Sequence, residues 1–310
     1  MINDRQQACA FAPATTSNLA VGFDILGFPL DSIGDEVSLQ RREDTELVIQ
    51  HIDSDFPLPM EIEKNTATVA IEAMQRSLNC QVGLDVSIKK GIPLGSGLGG
   101  SAASSVAAVV AFNQFLNKPL AAMDLIPFAL AGEKVATGSV HADNVVPCLL
   151  GGLVCIHAIE PLSVIKLPTN DLWSVFIHPH VVVETKQARA VLPKLVPLTD
   201  AIQYSARLAA FIAALYSQDR LLLSEVCKDE LIEPHRQSLI PHFKTVQQAA
   251  FKAGALACSI SGAGPTLFAL SGSKEQAAYI GQAMGEVYEY HSIPYDSILS
   301  TIAECGARSI

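Results

Sequence analysis

Pro93-Leu-Gly-Ser-Gly-Leu-Gly-Gly-Ser-Ala-Ala-Ser104 is the stretch that decides the fold. Gly and Ser fill most of Gly95 to Ser101, so the backbone there can come close to a ligand and can adopt φ > 0. An alternating segment, Leu84 to Ile88, reads as the strand before it, and the Ala/Val-rich run Ser101 to Leu116 reads as the helix after it. A glycine turn that opens a helix presents unpaired N–H groups and the positive end of the helix dipole. That combination binds phosphate. No Gly-Lys-Ser/Thr follows, so the turn is not a Walker A loop. Gly95-x-Gly97-x-x-Gly100 has the letters of a dinucleotide fingerprint, but the acidic residue required at the end of a second strand is missing. A flexible turn feeding a packed helix is the plainer alternative. The density of Gly and Ser between strand and helix favours phosphate.

Upstream of the loop, Val37 to Gln40 and Glu46 to His51 read as strands, and Asn65 to Leu78 as a helix capped by Asn65 or Thr66. Downstream, Lys118-Pro119 stops the loop's helix, and Ala121 to Ala136 is helical with a kink or break at Pro127. Gly151-Gly152 precedes a strand from Leu153 to Ile159. A second unit starts near residue 168, dividing the chain into 1–167 and 168–310. It holds a β run from Trp173 to Val183 and helices over Thr185–Leu192, Asp200–Tyr216, 220–232 and 242–253. A hairpin around Ser261-Gly-Ala-Gly-Pro265, a helix from Lys274 to Tyr290 and a strand from Ser297 to Glu304 complete it. That order suits a split βαβ, ferredoxin-like arrangement with inserted helices.

With 310 residues, 49% of them hydrophobic, the chain can bury a large core. Its formal net charge of −10 argues against duplex nucleic acid or an anionic membrane as partner. The uncharged stretch from Gly91 to Asn117 is broken by Gly, Pro, Ser, Asn and Gln, so a buried helix is expected there and not a membrane span. Seven cysteines with no C-x-x-C pair suit reduced thiols. The N-terminus lacks an apolar signal-like region, and a cytoplasmic location is expected.

Three segments together resemble the motifs of the GHMP kinases. They are Ala12-Pro-Ala-Thr-Thr-Ser-Asn18-Leu-Ala-Val-Gly-Phe-Asp24-Ile-Leu-Gly27, the glycine loop, and Ser259-Ile-Ser-Gly262-Ala-Gly264-Pro265-Thr266. Within that family the first motif is similar to the homoserine kinase branch. So are Gly132-Glu133, His141-Ala-Asp143-Asn144-Val-Val-Pro147, Thr185-x-x-x-Arg189 and Glu233-Pro-x-Arg236. One departure is Gly100, where many members carry the first of two serines. The resemblance implies an α+β fold: an N-terminal ATP-binding domain like domain 2 of ribosomal protein S5, a ferredoxin-like C-terminal domain, and a site in the cleft between them. It implies phosphoryl transfer from ATP to the hydroxyl of L-homoserine, with Mg²⁺ as cofactor and a homodimer as the assembly.

The roles follow from the resemblance. Pro93, Leu94, Gly95, Ser96, Gly97, Leu98, Gly99, Gly100, Ser101, Ala102 and Ala103 are expected to wrap the triphosphate. Ser101, at the start of the helix, and Glu133 are the expected metal ligands, hard oxygen donors of the kind Mg²⁺ takes. Asn65 is placed at the adenine, with Gly262 and Gly264 also on the nucleotide side. Asp24 suits the substrate ammonium, and Arg189 and Arg236 suit its carboxylate, which guanidinium binds bidentately. Thr185 lies one helical turn from Arg189, Asn18 could orient the hydroxyl, and His141 and Asn144 belong to the expected substrate loop. Taken singly, most of these residues have a bland reading as a cap, a turn or a solvated ion pair. Asp143 is the obvious candidate for a catalytic base but is not assigned as one. A kinase for another alcohol, a phosphorylating decarboxylase and a nucleotide-binding regulator without chemistry are the alternatives. His178-Pro-His180 lacks the further ligands that a metal site needs.

Overall fold

The computed structural model of the protein describes residues 2–138, 142–169 and 171–310. The chain opens with β1 (Gln7–Asn18), β2 (Gly22–Arg41) and β3 (Leu47–Asp53), then α1 (Thr66–Ser77) and β4 (Leu84–Lys89). Next come α2 (Gly100–Asn113), α3 (Ala122–Thr137), α4 (Ala142–Leu150), β5 (Leu153–Ile159) and β6 (Leu162–Leu167). β7 (Trp173–Pro179) leads into α5 (Thr185–Ala190), α6 (Leu198–Ser217), α7 (Arg220–Val226), α8 (Glu233–Arg236) and α9 (Phe243–Lys252). The chain closes with β8 (Ala257–Ile260), β9 (Leu267–Ser271), α10 (Lys274–Tyr290), β10 (Tyr295–Thr301) and β11 (Arg308–Ser309).

The first sheet has seven strands, running β11-β1-β2-β4-β3, with β5 on β2 and β6 on β5. β3 and β4 are parallel and the other pairs antiparallel. The second sheet is antiparallel, in the order β10-β7-β9-β8. Numbered within that half, the order is fourth, first, third, second, with α10 between the third and fourth strands. This is the ferredoxin-like topology expected from the sequence.

β1 and most of β2 escape a period-2 reading. The run Ala12 to Asn18 is small and polar, yet every side chain in it is buried, because the strand is covered on both faces. α3 is helical as expected and runs through Pro127 without a break. Pro127 sits in the second turn, where its ring removes only the bond to the Met123 carbonyl, and Met123 is exposed to water. α4 was not expected, since Pro147 lies inside it, so Asn144 is on a helix and not in a loop. The β run expected to reach Val183 ends at Pro179, where Val181 N–H turns back to the Pro179 carbonyl at 2.6 Å.

The helix expected over 220–232 ends at Val226, and several other expectations hold. Asn65 caps α1 by accepting from Ala67 N–H at 3.0 Å. α2 is apolar on all sides and buried in the core, as a span-like run in a globular protein must be. Among the described residues no helix is long and apolar enough to cross a membrane. The main core runs through both halves. It joins Phe28, Leu98 and Phe112 to Phe176, Phe211 and Phe268, and Phe28 meets Phe176 edge-on at 6.4 Å. A second apolar cluster lies between the second sheet and α9 and α10.

Candidate active site

The glycine loop joins β4 to α2 with Gly95, Gly97 and Gly99 at φ +66°, +78° and +68°. Only glycine enters that region without strain. Gly97 also has no room for a side chain, since a Cβ there would lie 2.5 Å from the Ser261 carbonyl and 2.7 Å from that of Gly264. The loop is stitched to its surroundings by backbone bonds. Thr15 N–H donates to Leu98 O at 3.0 Å and Thr266 N–H to Ser96 O at 3.2 Å, while Ser261 Oγ donates to Gly97 O at 2.9 Å. The three motif segments therefore meet here. Gly99 caps α2 from the left-handed region, and among the described residues no side-chain cap hydrogen bond is made there. The helix starts at Gly100, one residue before Ser101.

Ser101 faces Glu133, whose position is set by the close packing of α3 on α1. A Cβ on Gly132 would run into the Thr66 carbonyl. Glu133 is 3% exposed. Burial, helped by the Asp143 charge, pushes its carboxyl up to about 7, against the opposing pull of the Ser101 hydrogen bond and the Lys90 charge. A buried carboxylate hydrogen-bonded to a serine hydroxyl, beside uncapped amides, is a hard-oxygen donor set. It suits a cation that takes one or two protein oxygens and completes its shell with phosphate and water. No group of three or more His, Cys, Asp or Glu among the described residues could hold a metal by itself.

The opposite wall carries the charged set. Asn18, at φ +76°, donates to Gly262 O at 2.9 Å and accepts from Asp24 N–H at 3.1 Å. Those bonds leave one amide proton of Asn18 for a ligand. Arg189 grips Asp24 fork to fork, Nη1 to Oδ2 at 3.0 Å and Nη2 to Oδ1 at 2.8 Å. Arg236 is buried and donates to Ala188 O at 3.0 Å and to Gly262 O at 2.9 Å. Both guanidiniums lie over the Phe23 ring, at 5.4 Å for Arg189 and 5.0 Å for Arg236. Asn144 accepts from Thr15 Oγ1 at 2.9 Å. Its neighbour Asp143 is buried, and that burial, reinforced by the Asp24 charge, raises its carboxyl to about 6.

One cavity thus gathers Asn18, Asp24, Glu133, Asn144, Thr185, Arg189, Arg236 and Gly262 with Pro93 to Gly97 and Gly99 to Ser101. Leu98, Ala102, Ala103, Asn65 and Gly264 are not among the residues that line it. Leu98, Ala102 and Ala103 are core side chains, Asn65 is occupied as the cap of α1, and Gly264 packs against Ile240 and Ile260. His141 lies outside the described residues. Several wall residues were given no role from the sequence. Phe23 is held by Tyr204 of α6, whose hydroxyl accepts its N–H at 2.9 Å. Ser17 lines the cavity beside Asn144, and Lys90 lines it beneath the loop. A lysine next to Gly91-Ile92-Pro93 in a chain with 21 Lys and Arg was the one available hint.

This architecture is that of the GHMP kinases. Their N-terminal domain model matches residues 65–152 and their C-terminal model residues 211–289. The Leishmania major mevalonate kinase shares the fold at a TM-score of 0.73 and 14% identity, covering 99% of this chain and 100% of its own. Much nearer is the homoserine kinase of Cytophaga hutchinsonii, whose crystal structure matches with a TM-score of 0.96 at 44% identity, over 100% of this chain and 99% of that one. A homoserine kinase of Chlorobaculum tepidum is 40% identical over 314 residues, 97% of each chain. One from Xylella fastidiosa strain M12 is 42% identical over 304 residues, 97% of this chain and 94% of its own. The chain belongs to the homoserine kinase family.

Proposed function

We infer that the protein transfers the γ-phosphoryl group of ATP to the hydroxyl of L-homoserine, giving O-phospho-L-homoserine for threonine synthesis. The observation that carries this reading is the meeting, in one cavity, of the glycine loop with its Ser101–Glu133 pair and the Asp24–Arg189–Arg236 set. The first half suits a triphosphate, because uncapped amides and the α2 dipole neutralise anionic oxygens. Ser101 and Glu133 would hold Mg²⁺, which would offset the negative charge of the phosphates during transfer. The second half suits an amino acid. Asp24 can take an ammonium, and Arg189 with the buried Arg236 can take a carboxylate.

Asp24 and Arg189 are bonded to each other, so a substrate must exchange that pair for its own charges. A zwitterion replaces both partners at once. An alcohol with one charge, or none, leaves a guanidinium or a carboxylate without its counter-ion, which discriminates against mevalonate and sugars. Transfer breaks the bond between the γ-phosphorus and its bridging oxygen and forms one to the substrate oxygen. ADP leaves, and the hydroxyl proton passes to the transferred phosphoryl group without a dedicated base. Asn18 orients the hydroxyl with its remaining N–H. A homodimer and a cytoplasmic location belong to the same proposal, the latter suited by seven free cysteines.

A coupled ADP-release assay with Mg-ATP and a panel of L-homoserine, L-serine, L-threonine, mevalonate and galactose tests the assignment. Turnover on L-homoserine that vanishes without Mg²⁺ is the expected result. Turnover on mevalonate or galactose in its place would overturn the substrate assignment, and silence across the panel would favour a nucleotide-binding regulator.

A further inference from the structure

Beneath the glycine loop lies a largely buried ion pair whose polar atoms are taken up by the protein itself. Asp35 of β2 is fully buried, and the Lys90 side chain is 8% exposed. Asp35 Oδ1 accepts from the backbone N–H groups of Gly91 at 3.1 Å and Ile92 at 3.3 Å, which lead into the loop. Its Oδ2 accepts from Ser104 Oγ at 2.8 Å and from Lys90 Nζ. Lys90 Nζ also donates to the Gly100 carbonyl at 2.8 Å and to Ser104 Oγ at 2.9 Å. Gly100 and Ser104 belong to the first two turns of α2, where the loop ends. Asp35 therefore grips the entrance of the loop and Lys90 its exit, with Ser104 bonded to both.

A lysine ammonium carries three protons. Here Asp35, Gly100 O and Ser104 take all of them. Although Lys90 lines the cavity, its donors point at the protein and not at a ligand's phosphates. Its charge nevertheless reaches Glu133, where it opposes the upward push of burial. An unpaired charge at either position would be expensive to bury, so each residue needs the other. Packing alone would be served as well by apolar side chains of similar volume. What those could not supply is a set of directional bonds on two backbone segments nine residues apart, Gly91 and Gly100.

We propose that Lys90 and Asp35 are positioning residues that pin both ends of the glycine loop and so hold Ser101 and the α2 amides in register with the nucleotide phosphates. The proposal rests on the nucleotide site inferred above. Neither residue touches substrate, and the effect passes through Gly100 and Ser104 to the adjoining Ser101. Loss of the exit bond leaves the loop threaded but lets the start of α2 drift, and misplacement of about 1 Å at a reacting centre lowers rates by up to ~100-fold.

The test uses the full-length protein and the double variant Lys90→Met/Asp35→Asn. It removes both charges together and keeps the Asn amide oxygen for Gly91 and Ile92. The expected result is a Tm within a few degrees of the parent, and a Kd for Mg-ADP and a kcat/KM for ATP each worse by at least about tenfold. The KM for L-homoserine should stay within about twofold, since the opposite wall is untouched. A folded double variant with the parent's Mg-ADP affinity would overturn the proposal, because the pair would then be structural only. If the double variant does not fold, Ser104→Ala decides. It should weaken Mg-ADP by about threefold or more, with recovery in Ser104→Thr, and parent-like affinity in Ser104→Ala would overturn the proposal. A parent that binds no Mg-ADP at all would instead overturn the nucleotide site, and this inference with it.

Discussion

Glu133 shows how burial shifts the titration of one residue. Its carboxyl titrates at about 7 in the fold, against 4.5 when solvated. The folded state therefore holds the proton more tightly, and the contribution of Glu133 to stability falls as pH rises between those values. The full shift corresponds to at most about 3 kcal/mol. Without metal or nucleotide, Tm should be lower at pH 8 than at pH 5.5. Glu133→Gln should flatten that slope in part, leaving the contribution of Asp143, which burial lifts to about 6. An unchanged slope in scanning calorimetry would contradict the assignment. Across the cavity, Arg189→Ala should raise the KM for L-homoserine at least about tenfold while the KM for ATP moves less than about twofold. Arg189→Lys should recover only part, because an ammonium is a point charge without the guanidinium fork that grips Asp24. Initial-rate kinetics with each substrate varied in turn checks both outcomes. From the sequence, Asp24 and Arg189 could be named as readers of a zwitterion. That they are bonded to each other could not, since 165 residues separate them.

At the scale of elements, the glycine loop is both the most legible feature and the one with least freedom. Gly97 sits at φ +78° against the carbonyls of Ser261 and Gly264, and Gly138 sits at φ +72° with nothing within 4 Å of an added Cβ among the described residues. Gly97→Ala should therefore suffer backbone strain and collision together, with kcat/KM for ATP down by about 100-fold. Gly138→Ala meets the backbone penalty alone, about 1–2 kcal/mol. Thermal unfolding beside steady-state kinetics separates the two, and equal effects would mean that the packing of Gly97 on the 261–264 turn is unimportant. Elements whose own sequence carries the signal were readable: α2 from its Ala/Val run, α1 from its Asn65 cap, and the hairpin of β8 and β9 from its glycines. β1 was not, because small and polar residues become strand only when neighbours cover both faces. α3 ran through Pro127 because a proline in the second turn removes a single hydrogen bond.

At the scale of the molecule, the two sheets share one apolar core. Asp31 N–H donates to Ser300 Oγ at 2.7 Å across their junction, and β11 returns the C-terminus to the first sheet beside β1. Unfolding should therefore be one cooperative transition and not two. Mg-ADP at 100 times its Kd should stabilise the fold by about 2.7 kcal/mol, roughly 4 °C for a chain of this length. Two separated calorimetric transitions, or a shift confined to one of them, would show that the halves melt independently. The sequence by itself determined the class of chemistry: glycines where only glycine can turn, a helix to follow them, and a net charge of −10 that argues against nucleic acid. Only the tertiary structure decided which charges face one another. The Lys90–Asp35 staple, the Phe23 platform held by Tyr204, and the exchange pair of Asp24 and Arg189 all join residues far apart in the chain. Hydrophobic patterning reports which side of an element is buried but carries no record of which distant side chain it will meet. That information exists only once the core has closed.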